Sequence, residues 1–415
     1  MSQKRVLLLV TLMITGEFIF LLPFVVARIF RPTFLKIFEI NNLELGTAFS
    51  VYGIIAMVSY FAGGPIADRF TPRKLMTASL LFTAIGGLFM ALIPSLLGLT
   101  MLYGFWGLST ILFFWAAYVK ATRAFGGETT QGMSFGMVDA GRGFVAALLA
   151  SLSVFVFDAL LPVGAEMASL SEMKNALSKI IFIYCGLMVG CAFLILQIFP
   201  SENSAINSSN QKLSLEGVKQ ALKKRTVWLQ ALIVLCGYVG YKCTDDFSLY
   251  ASDVFGFDDV NAAHMGTTSF WVRPFAALAA GFLGDRFLCS KMVGVCFAII
   301  VLGSLVISSG FLHPSMGLFI ILTIATTSAG IYGLRGIYFA LFQESNLPLI
   351  YTGSAAGIIS VIGYTPDVFM GPLMGHILDS SPGAVGHQNL FAVLAVFGLI
   401  GLVTSWLFGR RVQKN

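Results

Sequence analysis

Ionisable side chains recur inside the long apolar runs of this 415-residue chain: Glu17, Asp139, Arg142, Lys242, Asp245, Asp246, Arg273, Arg335 and Asp367. In such surroundings their chemistry is ion binding, ion pairing and proton exchange. An ionised group at a bilayer centre costs at least about 2.5 kcal/mol, so each should face a polar cavity or a partner. At a rise of about 1.5 Å per residue, Glu17, Arg142 and Arg273 fall near the midplane, roughly 15 Å deep, with Lys242, Arg335 and Asp367 off centre. Arg142 and Arg273 come from opposite halves of the chain, and two guanidiniums at one depth suit a bidentate grip on carboxylate or phosphate. Arg142, Arg273, Lys242 and Arg335, with Trp271 and Tyr241 as aromatic walls, are the expected solute-binding residues.

Glu17 is the first candidate for proton coupling, because burial raises a carboxyl pKa and lets it load and release a proton near neutral pH. Asp139, Asp245 and Asp246 join it. Each assignment has a plainer alternative. Asp139 and Arg142, spaced i, i+3, can neutralise each other. Arg273 precedes Pro274, which frees a backbone carbonyl one turn back. Lys242 with Asp245 or Asp246 can be an ion pair that opens during a cycle. Arg28 is expected at the outer interface, snorkelling to water. His264, His313, His376 and His387 are scattered without ligand spacing, and the six cysteines form no Cys-x-x-Cys pair beside histidine, so no metal or other cofactor is indicated.

The elements that carry these groups follow from composition. The chain is 57% hydrophobic and only 11% charged, with a mean hydropathy of +0.85, whereas a soluble domain carries about 25% charged residues. Lipid is therefore its solvent. Spanning helices need roughly 20 apolar residues each, and the apolar runs divide into twelve, from Val6–Phe30 to Ile180–Phe199 in the first half and Val227–Tyr250 to Leu390–Phe408 in the second. The first run follows Lys4 and Arg5 as a signal peptide would, but it is too long for a signal core and stays as a span. The polar stretch Pro200 to Arg225 reads as a cytoplasmic linker, with a short surface helix near Leu213–Leu222. The expected organisation is a six-helix bundle over 1–199, a linker over 200–225 and a second bundle over 226–415. Most of the 26 Lys and Arg fall on the side of both termini, which places the termini in the cytoplasm. The same bias accounts for the +6 net charge without any nucleic-acid partner.

Two echoes relate the halves. Gly64-Pro65-Ile66-Ala67-Asp68-Arg69 follows the second span, and Gly281-Phe282-Leu283-Gly284-Asp285-Arg286 follows the eighth. Gly132 and Gly136 match Gly353 and Gly357 in spans five and eleven. Paired repeats are a common transporter architecture.

The loop Gly64-x-x-x-Asp68-Arg69-x-x-x-Arg73-Lys74 resembles the signature of the major facilitator superfamily, and Gly281 to Lys291 resembles its second copy. The resemblance covers essentially the whole chain and implies an all-α integral membrane fold, twelve transmembrane helices in two pseudo-symmetric six-helix bundles. It departs from the common pattern at Thr71-Pro72, a variant similar to the sugar-phosphate permease branch. In that reading Gly64, Asp68, Arg69, Arg73, Asp285 and Arg286 act as a conformational latch. Gly64 lets helix backbones approach, Asp68 accepts from a neighbouring helix N-terminus, and the arginines pair with carboxylates or lipid phosphates. Spans three, six, nine and twelve carry no charge in their interiors and are expected at the lipid-facing periphery.

The resulting expectation is a monomeric secondary transporter of the inner membrane. It moves a small polar, anionic organic solute by alternating access, with proton coupling or exchange. The alternatives are efflux of an amphiphilic compound or metal chelator, and a transporter-like membrane sensor. No His-Glu-x-x-His, Gly-x-Ser-x-Gly or phosphate-cradling loop is present, so enzymatic and ATP-driven functions are not expected.

Overall fold

The computed structural model describes residues 3–413 except 127–130, 163–166, 201–218, 220–221 and 346–348. All regular secondary structure among the described residues is helical. In the first half, α1 is Gln3–Phe18, extended by Leu21–Ile29 and Arg31–Phe38; α2 is Asn42–Arg69; α3 is Pro72–Ala91. α4 is Leu96–Gly107, continued through Leu108–Trp115 and Ala116–Gly126; α5 is Gln131–Ala159; α6 is Leu170–Ile198. In the second half, α7 is Arg225–Cys243, continued through Thr244–Asp246 and Phe247–Phe255; α8 is Asp259–Phe287; α9 is Cys289–Ser308. α10 is Gly317–Ile337, with a last turn Leu341–Glu344; α11 is Leu349–Gly363 and Pro366–Ser380; α12 is Ala384–Val412. The expected linker lies almost wholly outside the described residues, as does most of its surface helix.

Ten of these spans are long and apolar enough to cross a membrane, and the bent first one makes an eleventh. The twelfth, α8, is diluted by Asp259, His264 and Arg273, yet its 29 residues reach about 43 Å, beyond a hydrocarbon core of about 30 Å. The protein is a multi-pass membrane protein. Two apolar cores hold it together. One is built from α1 to α6 with Val260, Ala263 and Phe270 of α8, and the other from α7 to α12. On α3, α6, α9 and α12 large side chains such as Ile85, Phe193, Leu302 and Trp406 are exposed, a surface that only lipid would cover.

Several spans expected as continuous helices are broken where charge sits. α1 bends by 41° after Phe18, directly beyond Glu17. It then runs through a wide π turn, Leu21–Val25, that contains Pro23, whose missing N–H removes a rung of the helix. α7 tightens to a 3-10 turn at Thr244–Asp246, and α11 is interrupted before Asp367 by Tyr364-Thr365, with Pro366 opening the next helical stretch. Thr71-Pro72, the departure from the signature loop, serves the helix start: the Thr71 side chain accepts from the Lys74 N–H, with Pro72 in the first turn of α3.

With short connections and an even number of spans, both termini lie at one end. At the other end the halves are joined closely. The backbones of Gly46 in α2 and Gly371 in α11 touch, so a Cβ on either would collide with the other helix. About two turns further along α11, the Asp379 carboxylate accepts from the N–H groups of Asn42 (3.2 Å) and Leu43 (2.7 Å), closing the N-terminus of α2 with a negative charge from the opposite half. Lys36 pairs with Asp259 at 2.8 Å. Among the described residues, no hydrogen bond or ion pair joins the halves at the end that carries the termini.

Candidate functional site

Between the halves lies a cavity of ≈ 100 Å³, with the contacts just described lying beyond it at the end away from the termini. That is room for several water molecules. It is lined from α1 by Glu17, Phe20, Phe24 and Arg28, from α2 by Tyr52 and Tyr60, and from α4 and α5 by Trp115 and Arg142. The second half supplies Tyr238, Tyr241 and Lys242 of α7, Arg273 of α8, Arg335 of α10, Tyr364, and Asp367 of α11. Among the described residues, none of α3, α6, α9 or α12 lines it.

Two ion-pair clusters organise the wall. In the first, Glu17 and Asp139 lie between Arg142 and Arg273. Arg142 Nε stands 3.4 Å from Glu17 Oε2, and its Nη1 3.6 Å from Asp139 Oδ1. Arg273 donates from Nη1 to both Glu17 oxygens at 3.4 Å and from Nη2 to Asp139 at 3.3 Å. Arg273 belongs to the second half, so this cluster joins the bundles at mid-depth. Gly143 makes room for it: a Cβ there would lie 3.1 Å from Arg273 Cγ.

The second cluster is deeper. Arg28 donates from Nε to Asp245, and from Nη1 to the Tyr241 hydroxyl at 3.3 Å. Lys242 reaches Asp245 at 3.7 Å and Asp367 at 3.5 Å. Asp367 also accepts from the Tyr238 hydroxyl at 3.0 and 3.1 Å.

Arg335 stands apart from both. Its guanidinium lies over the Tyr241 ring, 3.6 Å from the centroid. Among the described residues it has no carboxylate partner, and its buried Nη1 has no hydrogen-bond acceptor. The lining holds five cationic side chains against two carboxylates. With Asp139 and Asp245 counted behind them, one positive charge remains, and Arg335 is the side chain left unmatched.

Of the residues singled out in the sequence, Arg142, Arg273, Lys242, Arg335, Tyr241 and Glu17 meet at this cavity, with Asp139 and Asp245 bonded to its wall. Others are placed differently. Trp271 is 36% exposed on the outer face of α8, where its indole donates to Ser151 at 2.8 Å; two residues from Arg273, it points about 200° away around the helix. Asp246 turns from the cavity toward His387 of α12, since consecutive residues of a 3-10 turn diverge by about 120°. Arg28 is not interfacial. It is 4% exposed, because α1 continues past it through Arg31–Phe38.

The expected latch is also rearranged. Asp285 and Arg286 are exposed at the end of α8, and a free N–H in the first turn of α9, at Ser290, donates at 3.1 Å to Glu344 from the last turn of α10. Arg69 is exposed and Arg73 half-buried, neither in an ion pair among the described residues. Gly64 and Asp68 lie in α2, but their side-chain surroundings are outside the described residues. Sequence reasoning passed over Arg28, Asp367 and the tyrosines Tyr52, Tyr60, Tyr238 and Tyr364 as site residues. A usable signal was there in Gly237-Tyr238-Val239-Gly240-Tyr241-Lys242, which sets two phenols and an amine on one stretch of α7.

The fold matches solved structures. The crystal structure of a bacterial homolog to the human lysosomal transporter Spinster, in an inward-facing and unoccupied conformation, superimposes with a TM-score of 0.73 at 14% identity, covering 100% of this chain and 98% of that one. At that identity the likeness speaks to fold alone. Among proteins of known sequence, the Inner membrane protein YqcE of Escherichia coli (strain K12) is 28% identical over 421 residues, spanning 98% of this chain and 95% of the relative. The Inner membrane protein YihN of the same organism is 25% identical over 424 residues, spanning 100% and 98%. The sequence model of the Major Facilitator Superfamily aligns with residues 7–366, most of the chain: the chain belongs to the Major Facilitator Superfamily.

Proposed function

We propose that the protein is a secondary transporter for a small organic anion, working by alternating access between the halves 1–199 and 226–415 joined by the segment 200–225. It sits as a monomer in the inner membrane with both termini in the cytoplasm, and the cavity then faces the cytoplasmic side. The observation that supports an anionic solute is the unmatched Arg335 guanidinium beside paired Arg28, Arg273 and Lys242. A carboxylate or phosphate entering there supplies the missing acceptor, and the neighbouring pairs can loosen to share it. Arg142 and Arg273 are engaged with Glu17 and Asp139, so they form the second tier of the grip. Proton coupling through Glu17 and exchange against a second anion both remain compatible with this arrangement.

A thermal-shift comparison of the purified protein against matched pairs, an organic acid with its amide and a sugar phosphate with its sugar, tests the reading. The expected result is stabilisation by the anionic member only, absent in Arg335→Gln. Equal stabilisation by neutral sugars in both proteins would overturn it.

A further inference from the structure

Outside the cavity, the end of α7 and the start of α12 enclose a buried acid–base cluster. His387 is fully buried. Its Nδ1 lies 2.7 Å from Asp246 Oδ2 and its Nε2 3.2 Å from Asp253 Oδ2. Asp246 is itself fully buried, and its second oxygen has no hydrogen-bond partner. Asp253 is 38% exposed, at the end of the bundle away from the termini. The Tyr250 ring packs edge-on to the imidazole, 5.4 Å between centroids.

α7, α9 and α11 pack on α12 here. The groups on α7 are Asp246, Asp253, the Tyr250 phenol and the Cys243 thiol. The adjoining end of α9 carries no charged residue, and His313 beyond it is exposed. On α11, His376 is exposed and Asp379 is committed to Asn42 and Leu43. The extension of α1 and the start of α8 also pack on this stretch of α7; there Arg28 is paired with Asp245, Arg31 donates to Asn42 and to the Asp245 carbonyl, and Lys36 is paired with Asp259. Among the described residues, then, no lysine or arginine pairs with Asp246 or Asp253. A carboxylate only accepts hydrogen bonds. With one at each ring nitrogen, either the imidazole carries both protons or an aspartate holds one. The cluster so drawn contains one proton more than a neutral ring between two carboxylates.

We propose that His387, Asp246 and Asp253 form a proton-binding site fed from the side away from the termini, whose occupancy controls the Thr244–Asp246 break in α7. This rests on the transporter reading and locates a coupling proton for it. A hydronium ion at Asp253 passes its proton to Nε2, and the Nδ1 proton moves to Asp246; water is left outside and no electrons move. When the proton leaves, Asp246 faces the ring as a buried carboxylate short of donors, a state that favours turning it toward water. Asp245, the preceding residue on the same turn, holds Arg28 in the cavity wall, so rotation of the turn alters the central cluster.

The test needs no solute. The full chain in lipid nanodiscs carries spin labels at Leu92→Cys and Phe311→Cys, both exposed and in opposite halves, and the distance distribution is read by pulsed electron resonance between about pH 5 and 10, a range wide enough for a histidine flanked by carboxylates. The ratio of conformers should change by as much as about tenfold per pH unit, the limit for one linked proton. His387→Gln should flatten that dependence, and Asp253→Asn, at the surface and tolerant of folding, should displace or flatten it. A pH-independent ratio in the parent protein, or an unaltered profile in both variants, would overturn the proposal. Because the readout is conformational, it stays decisive even if no anion binds in the thermal-shift experiment.

Discussion

The guanidinium of Arg335 rests on the ring of Tyr241 at 3.6 Å, and the same ring carries Arg28 at 4.6 Å. One phenol from α7 thus holds a cation from α10 in the second half and another from α1 in the first. The aromatic face partly compensates Arg335 without satisfying its N–H groups, which leaves them directed at the cavity.

Tyr241→Leu should therefore weaken anion binding more than Tyr241→Phe. Loss of the ring removes the Arg335 cation–π contact, worth about 0.5–2 kcal/mol, which calorimetry on the stabilising anion would read as about a two- to thirtyfold rise in Kd. Tyr241→Phe keeps the ring and loses only the 3.3 Å contact to Arg28, so its Kd should stay close to that of the parent. A phenylalanine variant as weak as the leucine one would show that the hydroxyl, not the face, carries the effect.

Glu17→Gln removes the carboxylate that Arg142 and Arg273 share. Breaking a buried pair on one side costs about 3–5 kcal/mol, so the Tm of the variant should fall, and millimolar phosphate should recover part of it by filling the vacated position. In proteoliposomes the variant should exchange anion at equal pH while failing to accumulate it down a pH gradient. Full gradient-driven accumulation would remove Glu17 from coupling.

Gly371→Val should keep the far end of the bundle from closing. The collision is with the Gly46 backbone, which cannot swing aside as a side chain would, so α2 and α11 must separate. A membrane-impermeant thiol reagent should then label Leu43→Cys faster in the Gly371→Val background than in its absence. Unchanged labelling would mean that the two helices part by another route.

Trp271→Phe should leave transport close to that of the parent. Its indole faces outward and donates to Ser151, and the substitution keeps the ring while losing one hydrogen bond worth about 1 kcal/mol. A large loss of affinity in this variant would place the indole in the solute path.

The twelve-span organisation was legible because lipid imposes a simple rule: long apolar runs with charge only where a partner or cavity waits. That rule correctly set α3, α6, α9 and α12 aside from the cavity and gathered Glu17, Arg142, Arg273 and Arg335 around it. It could not reveal which face of a helix a residue takes once the helix is broken. Arg28 was set aside because a straight α1 would end near it, whereas Pro23 and the wide turn carry the chain onward through Arg31–Phe38. Asp245 and Asp246 were taken as one kind of residue because adjacent letters do not report that a 3-10 turn sends them to different partners. The contacts that close the far end, Asp379 on α2 and Gly46 on Gly371, join positions more than 300 residues apart. The spacing Gly371-x-x-x-Gly375 was their one local sign.

The unmatched guanidinium has an electrical consequence. With every group of the two clusters ionised, the vacant cavity bears a single elementary positive charge, and a monovalent anion brings it to zero. A charge moved fully across the membrane is worth about 2.3 kcal/mol per 100 mV, so under the proposed alternating access voltage would act on the return of the empty cavity and spare the anion-bound one. Current recorded from this protein should then be carried by the empty half of the cycle.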